Sequence, residues 1–268
     1  MFTTPQLHRH KSARLKILLL FMFTAVLTLF STVSTTSGQQ VPTAAQWRLE
    51  FDFLQGQLDS TLIVDVGHVV NSSMVIEMTE QISIHCSEVG DVARNEFGLE
   101  LYGTGHLVCD FPDFAQIVSD MTNGTLILHP TCVCKQPWIK GDLFIDPNSP
   151  VGAAIPIFSH PDIQLSTELA PHSSMSVFNL RVGNGVAISE YFELTGEFDT
   201  YHTSLKPHAG SGYSANFIAN GNELGSASSS NLHQAQAIST GPAIIYVGTK
   251  PNASDRFQGV ISTLNVDP

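Results

Sequence analysis

From Trp47 to Phe53 every second side chain is large and apolar: Trp47, Leu49, Phe51 and Phe53 alternate with Arg48, Glu50 and Asp52. Neighbouring side chains of a strand point to opposite faces, so this spacing predicts a strand with one face on a core and the other in water. The same period recurs at 81–86, where Ile82, Ile84 and Cys86 oppose Gln81, Ser83 and His85, and again at Phe97, Leu99 and Leu101. Unbroken apolar stretches at 62–66, 125–128 and 243–247 predict strands buried on both faces. Helical spacing is nearly absent beyond the N-terminal leader, apart from a short stripe at 114–121. Asn123-Gly124, Asn184-Gly185 and Asn220-Gly221 each lie between strand-like runs, and Asn-Gly takes the positive φ angles of a tight hairpin readily. The clearest hairpin joins 177–182 to 186–192 through 183–185. Many short strands with Gly and Pro between them predict an all-β protein built as a sandwich or barrel.

The longest apolar run, 17–30, follows Arg9, Lys11, Arg14 and Lys16 and ends in small polar residues. That order predicts a secretory signal peptide over 1–38, cut after Gly38. A membrane anchor is the alternative, but a span needs about 20 apolar residues, and Ser31 and Thr32 close the run early. The expected destination is therefore outside the cell or on its surface. Residues 39–46 are expected as a flexible leader to a single β-sandwich domain, 47–268. Pro147, Pro150, Pro156 and Pro161 make 147–161 a long edge loop or, alternatively, the boundary between two β domains.

Without the leader the chain holds eight Lys and Arg against 24 Asp and Glu, a formal charge of −16. Such a field repels phosphate backbones and anionic lipids, which excludes nucleic acid and the membrane surface as expected partners. It leaves neutral glycans, cations and extracellular proteins. Cys86, Cys109, Cys132 and Cys134 all lie beyond the leader, where oxidation is favoured. Cys132 and Cys134 would close a very small, strained ring together, so each is expected to reach Cys86 or Cys109 on a neighbouring strand. With His85, His106 and His129 the same cysteines could bind zinc if reduced, but paired Cys-x-x-Cys spacing is missing. Asn71, Asn123 and Asn252 stand in Asn-x-Ser/Thr sequons, which in a eukaryote would be surface glycosylation positions.

The last third supplies a resemblance. Phe198, Tyr201, Tyr213, Phe217, Asn220, Gly221, Tyr246, Gly248, Phe257, Gly259 and Ile261 follow the order found in the closing half of concanavalin A-like and laminin G-like jelly rolls. There an aromatic strand turns into one ending in Asn-Gly, and a final Phe-x-Gly-x-Ile strand follows. Those families often place Trp where Phe198 and Tyr201 stand, and neither Trp of this chain is there. The resemblance implies an antiparallel β-sandwich with its first and last strands, near 47–54 and 256–266, side by side. It implies no particular ligand, since lectins, hydrolases, lyases and adhesion modules share the scaffold.

Glu190, Glu193, Glu197 and Asp199 form the densest acidic cluster, suited to calcium or to glycoside cleavage if several carboxylates converge. The Glu-x-Asp-x-Glu pattern of jelly-roll glucanases begins at Glu50 and Asp52 but meets Leu54 at its third position. No Gly-x-Ser-x-Gly elbow and no phosphate-binding Gly loop occur. The rings Trp138, Tyr191, Phe192, Tyr201 and Tyr213 are the candidates for stacking on sugars, with core packing as the competing fate. A secreted, non-catalytic carbohydrate-binding or surface-binding sandwich is therefore expected. The alternatives are a carbohydrate-active enzyme on the same scaffold and a structural or adhesion component of the cell envelope.

Overall fold

The computed structural model describes residues 43–70, 73–126, 131–133, 137–207, 213–228 and 237–267. The chain separates into two units, 1–42 with 69–73 and 43–68 with 74–268. The expected signal peptide and the sequon at Asn71 lie outside the described residues. Among the described residues no helix is long and apolar enough to cross a membrane.

The second unit is an antiparallel β-sandwich. Its larger sheet runs, in hydrogen-bonded order, Asn222–Leu224, Tyr213–Ala219, Asp199–Pro207, Trp138–Ile145, Gly259–Asp267, Thr43–Asp52, Asp59–Val70 and Ser73–Ser83. The hairpin Val92–Asn95 with Gly98–Leu101 extends it, pairing with the start of the Gly259–Asp267 strand. The facing sheet runs Ser226–Ser228, Gly185–Ser189, Met175–Val182, Ile163–Leu169, Ile155–Ser159, Ala243–Val247, His106–Phe111 and Cys86–Val89, with Phe192–Glu193 beside Met175–Val182. Thr131–Val133 pairs with Ala237–Ser239 separately. First and last strands do lie side by side, Leu49 opposite Val266 and Phe51 opposite Leu264.

The alternation read at 47–53 places Trp47, Leu49, Phe51 and Phe53 in the core. Trp47 meets Phe111 of the facing sheet at 4.9 Å and Phe178 meets Tyr201 at 4.8 Å, so rings from both sheets interlock. Burying each such side chain contributes about 1.5–3 kcal/mol. The first strand begins at Thr43, so 43–46 pair with 65–68 and the flexible leader expected over 39–46 is partly strand. Within 147–161, Ile155–Ser159 is a strand buried along its whole length. Each sheet contains strands from both before and after this segment.

Turns follow the sequence with two changes. Asn220-Gly221 forms the expected two-residue hairpin loop, with φ of 49° and 79°. In the loop between Val182 and Gly185 the positive φ falls on Gly183 (55°), not on Asn184-Gly185. Asn123-Gly124 closes the helix Phe114–Met121, the stripe seen in sequence, and joins no two strands. Of the continuous apolar stretches only 62–66 is buried on both faces. Ile244 is 43 % exposed, and Thr125 and Leu126 are irregular, with Ile127 and Leu128 outside the described residues.

The cysteine expectation is corrected. Cys86 and Cys109 are direct register partners on adjacent strands and form a disulfide with each other. They are therefore closed to Cys132 and Cys134 and to any zinc ion. Cys134 and His129 lie outside the described residues. The sequon residues Asn123 and Asn252 are both exposed.

Candidate functional site

Register places a row of polar side chains and rings on the outward face of the larger sheet. In Trp138–Ile145 the inward residues are Ile139, Leu143 and Ile145, so Trp138, Lys140, Asp142 and Phe144 face water. Thr200 and Thr263 flank Asp142 on the two neighbouring strands. Both donate their hydroxyls to its carboxylate, at 2.6 and 3.0 Å. Lys140 stands between His202 and Asn265, and Trp138 between Ser204 and Asp267.

Aromatic groups close this strip at both ends. Trp138 is half-buried and meets the His202 ring edge-on at 5.9 Å. Phe144 meets Phe198 at 6.1 Å, and Phe198 meets Phe97 at 6.2 Å. Phe97 and Phe198 are 55 % and 41 % exposed, which a core role would not leave. Trp138 and Phe144 are six residues apart on one strand, about 20 Å at the usual rise of about 3.3 Å per residue.

The strip is electrically mixed. Burial raises the Asp267 carboxyl to about 6, eased by Arg48 and by the Trp138 hydrogen bond and worsened by Asp65. Arg48 itself donates to Glu50 at 2.8 Å. Asp52 caps the turn after its strand by accepting from the Leu54 N–H at 2.9 Å. Glu50 and Asp52 thus have structural partners in place of the glucanase arrangement.

The acidic cluster is not assembled. Asp199 is buried and points between the sheets, where its carboxylate accepts from Thr195 Oγ1 at 3.0 and 2.9 Å, from Tyr201 Oη at 3.0 Å and from Asn220 Nδ2. Glu193 accepts from Ser174 Oγ at 3.4 Å, Glu190 lies against Gly225, and Glu197 is exposed in the turn before Asp199. Among the described residues no three His, Cys, Asp or Glu side chains come together to hold a metal ion. Calcium through Glu190, Glu193, Glu197 and Asp199 therefore has no converged ligand set here.

The candidate rings divide. Tyr201 is a core residue packed on Phe178 and Phe192, and burial, then the Asp199 charge, drive its hydroxyl pKa upward. Phe192 is likewise buried. Tyr191 is 59 % exposed, away from the strip, in the connection between Gly185–Ser189 and Phe192–Glu193. Tyr213 opens the strand Tyr213–Ala219, and its side chain lies outside the described residues. Among the candidate rings whose side chains are described, Trp138 alone sits on the strip. Asp142, Phe144 and His202 are not among those candidates, although alternation through W-I-K-G-D-L-F-I marks the first two as outward partners of Trp138.

No family model matches the chain, and no characterised protein matches it significantly in sequence. Among solved structures, remote likenesses exist. One is botulinum neurotoxin type C, a toxin whose passage into cells depends on interaction with two ganglioside molecules: 13 % identity, TM-score 0.44, 82 % of this chain and 47 % of that one. Another is the binding domain of botulinum neurotoxin DC in complex with SialylT: 11 % identity, TM-score 0.42, 82 % and 45 %. A third is domain 4 of AbnA, an extracellular arabinanase from Geobacillus stearothermophilus, in complex with arabinotriose: 12 % identity, TM-score 0.38, 69 % and 82 %. The chain spans about half the length of the two neurotoxin structures. Likenesses this remote assign no function to it.

Proposed function

We propose that this protein is an exported, non-catalytic carbohydrate-binding β-sandwich whose larger sheet receives an extended glycan on its outward face. The observation that carries this reading is the strip itself, with Trp138 at one end, Phe144 and Phe198 at the other, and Asp142, Lys140 and His202 between. Sugar rings offer apolar C–H faces and hydroxyls in alternation. Exposed aromatic rings accept the first and a hydrogen-bonding carboxylate and amine accept the second. Thr200 and Thr263 hold the Asp142 oxygens in place before any ligand arrives, which lowers the ordering cost of binding. The basic and apolar N-terminal run supports export.

Affinity electrophoresis in gels containing xylan, arabinan, β-glucan or galactomannan tests the reading. At least one polysaccharide should retard the native protein, and W138A should lose most of that retardation, corresponding to about tenfold weaker binding for one lost stacking ring. Unretarded native protein in every gel, or equal retardation of W138A, would overturn it.

A further inference from the structure

The opposite sheet carries a second site of different chemistry. Tyr246, Ser159, Gln164 and Arg181 are successive register partners across four strands, Ala243–Val247, Ile155–Ser159, Ile163–Leu169 and Met175–Val182. They form one row on the outward face, because Val247, Phe158, Leu165 and Leu180 beside them are buried in the core. With Lys250 and Pro161 they line a cleft of about 360 Å³, within the size range of small-ligand sites.

Charge distinguishes this cleft from the rest of the molecule. Only eight basic residues offset 24 acidic ones beyond the leader, yet two of the eight line it. Arg48 and Arg94 are paired with carboxylates, whereas Arg181 and Lys250 have no carboxylate partner among the described residues. Two backbone carbonyls hold the Arg181 guanidinium: Nη1 donates to Gly183 O and Nη2 to Pro161 O, both at 3.1 Å. That brings it toward Pro161, fixes the plane of the fork and leaves three of its five N–H groups for a ligand. Asp162, the nearest acidic neighbour in sequence, accepts from the Ser239 N–H at 2.8 Å.

We propose that this cleft binds a carboxylate-bearing sugar, a uronic acid or a glycan end that carries one. The guanidinium fork matches a carboxylate, Lys250 adds charge, and Ser159 and Gln164 supply donors and acceptors for hydroxyls. Tyr246 offers a ring about 14 Å from Arg181 between Cα atoms, at about 4.8 Å per strand step. A single charge on the ligand suits two cations of which one is already half committed to carbonyls. This site is independent of the strip on the other sheet.

Backbone amide NMR titration with D-glucuronate, D-galacturonate, glucose and glucose 6-sulfate tests the proposal. Both uronates should shift amides around Tyr246, Gln164 and Arg181 saturably, while glucose does not and the sulfate ester binds more weakly. R181Q and, separately, K250Q should each weaken uronate binding at least several-fold; W138A should leave it unchanged. K250Q matters because Arg181 also braces two turns, whereas the Lys250 side chain has no hydrogen-bond partner among the described residues. Equal binding of glucose or of the sulfate ester, unchanged affinity in K250Q, or uronate shifts confined to the Trp138 face would overturn it. Uronate binding here together with no polysaccharide retardation would sink the strip and leave the cleft standing.

Discussion

Asp199→Ala should destabilise the fold by about 3–5 kcal/mol and lower Tm by roughly 10 °C for a domain of this size. The carboxylate is buried and gathers donors from three places: Thr195 before its strand, Tyr201 two residues on, and Asn220 in the hairpin loop. Asn220 also accepts from the Thr200 N–H at 2.9 Å, so one side chain ties the loop to two neighbours. Removing the carboxylate leaves Tyr201 Oη and the Asn220 amide in the interior with no acceptor. An unpaired buried donor costs more than the hydrogen bond it once made was worth. Tyr201→Phe separates the terms, since it deletes one donor while Thr195 and Asn220 still serve the carboxylate; about 1–1.5 kcal/mol is expected. Denaturant unfolding of both variants checks this. A loss below about 1 kcal/mol in Asp199→Ala would mean that the hydrogen bonds are not what holds this end of the sheet.

Asp199 also shows where reading a sequence succeeds and fails. Asp199, Tyr201, Thr203 and Leu205 are two apart, so a strand sends all four to one face, and all four are buried. Grouped instead by proximity along the chain, Asp199 joins Glu190, Glu193 and Glu197 in a cluster that the pleat takes apart. Period two is local information, and it specifies the sandwich, the first strand and the outward set of Trp138, Asp142 and Phe144. Cross-strand order is not local. Cys86 pairs with Cys109 because Cys86–Val89 happens to lie beside His106–Phe111 in register, and nothing in the spacing of four cysteines specifies that neighbour. The cleft between Tyr246 and Arg181 is illegible for the same reason: its four row members come from residues 159, 164, 181 and 246 and meet only after three strand pairings.

His160→Gln and Asp267→Asn should bend the pH dependence of stability in opposite directions. His160 is 1 % exposed, packed against Trp47 and Phe111, and burial lowers it to about 4, with Asp162 opposing and Arg181 adding to the effect. Its Nδ1 accepts from the Asp162 N–H at 3.1 Å, so the ring's one proton sits on Nε2, and a second would have to displace that hydrogen bond. Nε2 and Trp47 Nε1 are both buried without a partner among the described residues. For a base whose folded pKa is depressed, full stability holds above the unfolded value of 6.5 and is lost as pH falls toward 4. Between pH 7 and pH 5 that loss is about 2 kcal/mol. Asp267 runs the other way: with its folded value raised from 3.8 to about 6, the strain of its ionised form is present above pH 6 and relieved on acidification. The relief is about 1 kcal/mol after allowance for water's screening at a half-buried group. In the native protein the Asp267 relief offsets about half of the His160 loss. Denaturant midpoints at pH 7 and pH 5 should therefore show His160→Gln losing about 2 kcal/mol less on acidification than the native chain, and Asp267→Asn about 1 kcal/mol more. Parallel behaviour of all three proteins would mean that neither group titrates differently in the folded and unfolded chain.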